Sequence, residues 1–465
     1  MGVGKVTFVF PRFKYPSGDF SMGLAYISAY LKKAVGDVEV HLIDPTFDPS
    51  LSHIGARLAE TKPDIVGIYM DTLMYEDALR VARVAKSLSA YVVVGGPHPS
   101  ILPMTVISSE YVDSVCIGEG EIAFAALVRE YFDQRRFDLV EGIWYKQNGS
   151  IAKNPPQNPI EDIDSLPYPD LEIFDIERYI DNFIQLDSYS PKIRGLSVIV
   201  SRGCPFRCSY CQPTLSKVFG KKFRIRSPRN VVGELRNLTA RYRLDAVYFQ
   251  DDTLTVSRDW LLEFCDLLIA EKLGIVWACN TRVDTVDEQM LSTMKRAGLV
   301  KLKVGIESKS DRIRKEIYRK GISLAQVDRM IRMAGDLQIQ VAGFFMLGAP
   351  TETNREIIQT IRYAVGSDLV EANFSITVPL PATDLHEMAQ GEGWMLPSKF
   401  EDYDYYHAIR PPITGEDVSS RRLQLYKKLA YLLFYLHPKR IMNTLQVVWG
   451  GRAALRKTLQ KLRRF

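Results

Sequence analysis

At 465 residues, with 46% apolar and 25% charged positions, the chain has the composition of an ordinary globular protein, long enough for two or three domains and a substantial core. That balance excludes a disordered or fibrous chain, and no apolar run reaches the length of a membrane span. The formal net charge of +5 hides an asymmetry: residues 421–465 hold twelve Lys or Arg and no Asp or Glu, so the residues before them carry 48 basic against 55 acidic groups.

Residues 5–10 run straight into Pro11 and a polar loop, unlike a signal peptide, so an intracellular, cytoplasmic protein is expected. Short, continuously apolar runs at 6–10, 38–43, 65–70, 91–94 and 114–117 read as strands. Helical patterns at 22–34, 51–60, 75–88 and 122–131 lie between them. Strands alternating with helices predict a parallel, doubly wound, Rossmann-like α/β domain over residues 1–139. In such sheets ligands bind beyond the carboxyl ends of the strands. That rule points to the loops carrying Asp71 and Thr72, then Gly95, Gly96, His98 and Ser100, and finally Gly118, Glu119 and Glu121. No GxGxxG follows the first strand, which argues against a nicotinamide site. A tight turn with a surface His is the structural alternative for 95–100.

Residues 140–195 are expected to form a small hairpin and then a stiff Pro-rich linker (Pro155, Pro156, Pro159, Pro167, Pro169). Behind the apolar run 196–200, Cys204, Cys208 and Cys211 place half of the six cysteines within eight residues, on a loop at a strand end. Cys116, Cys265 and Cys279 are scattered, so no disulfide framework is expected, in keeping with a reducing compartment. Clustered soft thiolates select zinc, copper(I) or an iron–sulfur cluster. No second CxxC or nearby His completes a four-ligand zinc site, which leaves a cluster with one open iron, an incomplete zinc site, or structural cysteines. Further strands are predicted at 246–249, 276–279, 302–304, 341–346 and 374–378, each followed or preceded by a helical pattern. Six such β/α units fill 196–385, with chemistry expected at the strand C-termini. A basic helical region, 386–465, closes the chain. Its aromatic stretch (Trp394, Tyr403, Tyr405, Tyr406, His407) lines a substrate cavity or packs as a loop, and 421–436 and 452–465 read as Leu- and Lys/Arg-rich helices.

The spacing Cys204-x3-Cys208-x2-Cys211, with Tyr210 before the last Cys, closely resembles the signature of the radical S-adenosylmethionine (SAM) superfamily. A doubly wound domain with the 95–100 loop and the Gly118-Glu119-Gly120-Glu121 turn, placed ahead of that motif, resembles its cobalamin-binding branch and the class B-like methyltransferases within it. The resemblance implies that the six units form a partial (β/α)6 radical SAM barrel, with one 4Fe–4S cluster on the three cysteines and SAM at the barrel strand ends. Tyr210 belongs to that site. Asp251 and Asp252 would meet the SAM amine, with helix capping as the structural alternative. Arg282 would meet the SAM carboxylate, with an ion pair as its alternative. Glu307 and Ser308, in a Gly305-Ile306-Glu307-Ser308 run, would reach the ribose or methionyl part, and the loop of Gly348 and Pro350 would surround adenine. At Pro379-Leu380-Pro381-Ala382-Thr383, Ala382 stands where the family more often has Gly.

For the N-terminal domain the resemblance implies cobalamin near Asp71, Thr72, Gly95, Gly96, His98, Ser100, Gly118, Glu119 and Glu121. The DxHxxG motif is absent, so no protein His would ligate cobalt. In the family, SAM cleavage gives a 5′-deoxyadenosyl radical that takes hydrogen from substrate. The activity implied is methyl transfer to an unactivated carbon, with an external electron donor; the basic, Leu-rich tail adds the expectation of an apolar or lipid-like small-molecule substrate. A cyclase or oxidoreductase on a tetrapyrrole or isoprenoid, and a non-enzymatic cobalamin- or metal-sensing protein, are the alternatives. The basic tail suggests peripheral contact with a membrane; no nucleic-acid module accompanies it.

Overall fold

The structure is a computed structural model that describes residues 4–14, 18–212, 218–220, 222–413 and 418–441. Two compact units divide the chain: residues 1–176 with 213–224, and residues 177–212 with 225–465.

In the first unit strands β1 (Gly4–Val9), β2 (Val38–Ile43), β3 (Ile65–Tyr69), β4 (Tyr91–Gly95) and β5 (Ser114–Cys116) alternate with helices. The main helices are α1 (Met22–Val35), α2 (Leu51–Thr61) and α3 (Tyr75–Ser87), then the short α4 (Pro97–Ile101) and α5 (Pro103–Ile107), and α6 (Gly120–Phe132). The strands form because their apolar runs, such as Tyr91-Val-Val-Val-Gly95, are covered on both faces of a parallel sheet. Two further strands, β6 (Ile143–Gln147) and β7 (Ser150–Lys153), pair antiparallel beyond β5. The seven-stranded order is β2-β1-β3-β4-β5-β6-β7. Thus the hairpin expected within the linker is part of the sheet, and the Pro-rich stretch that follows packs on α1 through Ile160, Ile163, Leu166 and Tyr26. The strand order reverses between β1 and β3. Their C-terminal ends are therefore the switch point where doubly wound sheets take ligands.

The second unit begins with α7 (Ile176–Asp181), whose last five residues it holds, β8 (Gly195–Val198) and the two-residue strand β9 (Ser201–Arg202); of β10 (Arg224–Ile225) it holds Ile225, while Arg224 belongs to the first unit. Then come α8 (Pro228–Tyr242), β11 (Ala246–Phe249), α9 (Arg258–Glu271), β12 (Val276–Thr281), α10 (Glu288–Arg296) and β13 (Leu299–Glu307). The unit continues with α11 (Leu324–Asp336), β14 (Gln340–Leu347), α12 (Asn354–Gly366), β15 (Glu371–Ile376), α13 (Asp384–Gly391) and α14 (Ser420–Tyr435). Strands β8, β11, β12, β13, β14 and β15 form one parallel sheet in chain order, the six-stranded sheet of a partial barrel. Phe183, Leu186 and Ile193 pack on its strand starts at Ala246 and Val300. The buried ammonium groups of Lys301 and Lys303 are held there by the main chain and side chain of Gln185.

Beyond α13 the chain stays on this unit. Helix α14 lays Tyr431 and Phe434 on Phe374 of β15, and the Tyr431 hydroxyl accepts a bond from Phe374 N at 2.9 Å. The aromatic stretch before it is packed by α14: Lys427 donates to the Tyr406 carbonyl, and Gln424 to the carbonyls of His407 and Ala408 (2.5 and 2.8 Å). The helix expected over 452–465 lies outside the described residues. No helix among the described residues is long and apolar enough to cross a membrane.

Candidate active site at the strand ends

The three-cysteine loop leaves β8 under the control of Asp251, at the end of β11. The amides of Val200 and Ser201 donate to the Asp251 carboxylate (3.0 and 2.5 Å), as does the Ser201 hydroxyl (2.5 Å). Burial raises this carboxyl to about 6 against the pull of those bonds. Asp251 is thus a brace of the loop, and the exposed Asp252 beside it is the carboxylate turned outward. The loop's far side is anchored at Ser209, whose amide and hydroxyl donate to the carbonyls of Tyr318 and Ile317 (3.0 and 2.5 Å).

Cys204, Cys208 and Cys211 are free and partly exposed, and burial pushes the Cys204 and Cys211 thiols up. Arg282, at the end of β12, places Nη1 3.6 Å from Cys208 Sγ and its guanidinium 3.8 Å from the centre of the Phe206 ring. Two bonds to Asp284 (2.9 and 2.8 Å) fix its orientation. Among the described residues no three His, Cys, Asp or Glu side chains converge as a single ion requires. Three unpaired thiols spread over one loop, with a cation beside them, suit the separate irons of a cluster better than one zinc ion.

A second group joins the loop to β13. The register of β13 against β14 slips between Gly305 and Glu307, and Glu307 takes φ +68°, a bulge that re-aims its side chain. Glu307 Oε1 accepts from the Tyr210 hydroxyl and from Lys320 Nζ, both at 2.8 Å, and Lys320 lies 3.3 Å from the same hydroxyl. A Cβ at Gly305 would displace Glu307 Oε1 and Lys320 Nζ, so glycine leaves this pair its room. Lys320, absent from the sequence reading, stands thirteen residues beyond Glu307, outside any local motif. Burial and the Glu307 charge push the Tyr210 phenol well up, keeping it a donor.

Ser308 and the loop after β14 are held by a residue that the sequence reading did not single out, the buried Glu352. It accepts from Gly348 N and Ala349 N (2.7 and 3.1 Å) and from the Ser308 hydroxyl at 3.3 Å. Gly348 sits at φ +79°, with Leu423 of α14 where a side chain would go, and Pro350 is buried. Ala382 adopts φ +63°, so the turn usual for Gly forms with Ala. Burial raises Glu352 from 4.5 to about 7. The folded state therefore holds a proton that the unfolded chain releases, a contribution complete below pH 4.5 and lost as pH climbs through 7. Glu352→Gln should gain on the parent by on the order of 2 kcal/mol between pH 5 and pH 8, read by thermal unfolding of both across that range. A constant difference would assign the carboxylate an ionised role throughout.

In the first unit Asp71, Thr72, Gly95, Gly96, His98, Ser100 and Gly118 gather at the ends of β3, β4 and β5. Asp71 caps the turn after β3 by accepting from Met74 N at 2.8 Å, and burial raises its carboxyl. The His98 ring is fully buried, and both its nitrogens are engaged, by Thr72 Oγ1 at 3.1 Å and Thr105 Oγ1 at 3.2 Å. Burial lowers its pKa to about 4, so it is neutral. Gly96, at φ +112°, leaves no room for a Cβ against the Met70 carbonyl. Ser100 bridges two loops, donating to Gly96 O (2.8 Å) and accepting from Gly118 N (3.0 Å). Glu121 is buried in the first turn of α6. Glu119 points elsewhere: its carboxylate receives both terminal nitrogens of Arg224 and the amide of Ile160 (2.8 Å), with Arg224 and Glu119 side chains 3% and 2% exposed. The rim that remains is glycine backbone, the hydroxyls of Thr72 and Ser100 and the Asp71 carboxyl, a polar set that fits the amide-fringed corrin of cobalamin, while the His98 imidazole is already engaged at both nitrogens.

Two family models match the chain: the radical SAM superfamily over residues 198–364, and the B12 binding domain over residues 19–128. An uncharacterized methyltransferase of Pyrococcus horikoshii is 32% identical over 425 residues, spanning 90% of this chain and 88% of that protein. The anaerobic magnesium-protoporphyrin IX monomethyl ester cyclase of Rubrivivax gelatinosus is 30% identical, spanning 88% and 74%. Among solved structures, the radical SAM methyltransferase TsrM of Kitasatospora setae superposes with a TM-score of 0.71 at 17% identity, over 86% of this chain and 80% of that one.

Proposed function

We propose that this chain, which belongs to the radical SAM superfamily and carries a B12 binding domain, transfers a methyl group to an unactivated carbon of an apolar small molecule. Membership brings a 4Fe–4S cluster and SAM, and the B12 binding domain brings cobalamin; the chain is an enzyme of the cobalamin-dependent radical SAM type. When bound, the cluster and SAM supply the one-electron chemistry that opens a C–H bond, and cobalamin supplies a transferable methyl group.

The chain's own residues divide the remaining work. Cys204, Cys208 and Cys211 would hold the cluster, while Asp251 and Ser209 fix their loop. Asp252, Arg282, Glu307 and Lys320 set charges of both signs beside the loop, and the neutral Tyr210 phenol ties it to Glu307, which suits the amine and carboxylate of SAM. Ser308, Gly348 and Pro350 lie in the framework shaped by Glu352, suited to its nucleoside end. The Asp71 carboxyl, the hydroxyls of Thr72 and Ser100 and the backbone of Gly95, Gly96 and Gly118 would take cobalamin, with His98 holding Thr72 in place.

Methyl transfer is carried by the full-length similarity to the Pyrococcus methyltransferase. An apolar substrate is favoured by the likeness to the cyclase, whose named substrate is a porphyrin ester. That likeness also supports the second reading, ring closure or oxidation without methyl transfer. With the first reading go an external one-electron donor and a peripheral place at a membrane through the basic C-terminal region. Anaerobically reconstituted protein, given methyl-labelled SAM and an extract of its host, should place label in a lipid-soluble product and release S-adenosylhomocysteine. SAM consumed to 5′-deoxyadenosine without S-adenosylhomocysteine would replace the first reading with the second.

A further inference from the structure

Helix α14 is apolar on two faces. Leu423, Ala430, Tyr431 and Phe434 are buried against the unit's own core. A second set of leucines points out: Leu425, Leu429, Leu432, Leu433 and Leu436 are 55%, 37%, 53%, 51% and 54% exposed. At 100° per residue these five fall within about a quarter-turn of the helix surface, one stripe rather than scattered side chains. A helix apolar all round belongs in a buried setting, and single exposed leucines would need no account, but a contiguous stripe does.

Charge decides between occupants. Arg421, Arg422 and Lys428 flank the stripe and are exposed, and no acidic residue occurs from Arg421 to Phe465. Lys439, beyond the helix, is already paired with Asp368 at 2.6 Å. Residues 442–465 carry six more Lys or Arg, so laying them on this face would bring like charges together, and so would a second copy of the helix. A leucine stripe edged by cations fits a surface that is apolar within and anionic above. We infer that α14 docks on the interface of an anionic lipid bilayer, its leucines entering the acyl boundary and its cations meeting the headgroups. The inference rests on the peripheral placement proposed above and names the surface that makes it.

The test uses the full-length protein with vesicles of phosphatidylcholine alone and of phosphatidylcholine with phosphatidylglycerol, separated by flotation. The parent should float with the anionic vesicles at low salt and release as salt rises. Leu429→Glu/Leu433→Glu should lose at least tenfold in bound fraction, with Leu429→Ser/Leu433→Ser in its place if the glutamates disturb folding. SAM cleavage by the same samples should be unchanged, which separates loss of docking from failure of the enzymatic reading. Absence of parent binding would overturn the inference. Unaltered binding of both leucine variants would overturn it in favour of the chain beyond Ile441. Self-association of the parent in sedimentation velocity, abolished in the variants, would overturn it in favour of a second copy.

Discussion

Replacing Cys208 with alanine should leave the reconstituted protein without its cluster absorption and with SAM cleavage lowered by on the order of 10³ or more. The effect is that large because the three thiols act as one unit, and removal of any member of such a set costs nearly as much as removal of all. Cys204→Ala and Cys211→Ala should match it. The contrast lies inside the same molecule: Cys265 and Cys279 are buried in the core, their thiols pushed up by burial, Cys265 to about 12. Cys265→Ala should keep full iron content and differ only by a small packing loss. Iron and sulfide analysis with absorption spectra decides the matter, and iron retained in Cys208→Ala would move the centre off this loop.

The second large effect is expected at a distance from any thiol. Glu119→Ala leaves the Arg224 guanidinium buried, with the carbonyls of Ile160 and Phe219 beside it (2.6 and 3.0 Å) and no carboxylate bonded to it among the described residues. Breaking a buried ion pair from one side costs about 3–5 kcal/mol, because the remaining charge stays desolvated. Arg224→Met should cost a similar amount. The double change Glu119→Leu/Arg224→Met should be milder than either single change, since it leaves no charge behind. Hydrogen exchange at the β4 and β5 amides reads the first unit alone, and cobalamin binding by absorption should weaken in step with it. Additive effects below about 1 kcal/mol each would make the pair an ornament of the surface.

Much of this was readable in advance, for a physical reason. Parallel strands covered on both faces need unbroken apolar runs, so β1, β3, β4, β11 and β14 announce themselves. Three cysteines at tight spacing have few other uses. What stayed hidden depends on partners far along the chain. Glu119, Asp251 and Ser308 are polar residues at strand ends, as expected, but Arg224, the 200–201 backbone and Glu352 occupy them. Sequence shows a side chain's chemistry and not whether that chemistry is already satisfied. Lys320 escaped notice because the bulge that brings Glu307 to it follows from register in the sheet, not from spacing. The hairpin β6–β7 was visible as a hairpin; its membership of the first sheet depends on its pairing with β5.

The first unit is discontinuous, since residues 213–224 return to it after the second unit has begun. A ribosome therefore releases all of the first sheet, and the three-cysteine loop after it, before Arg224 exists. Until that residue emerges, the Glu119 carboxylate waits for the guanidinium that pairs with it, and the first unit closes only after residues 177–212 of its neighbour have been made. Its completion is timed by the synthesis of its neighbour, so a chain that stops between residues 177 and 223 yields a first unit that is missing its own keystone.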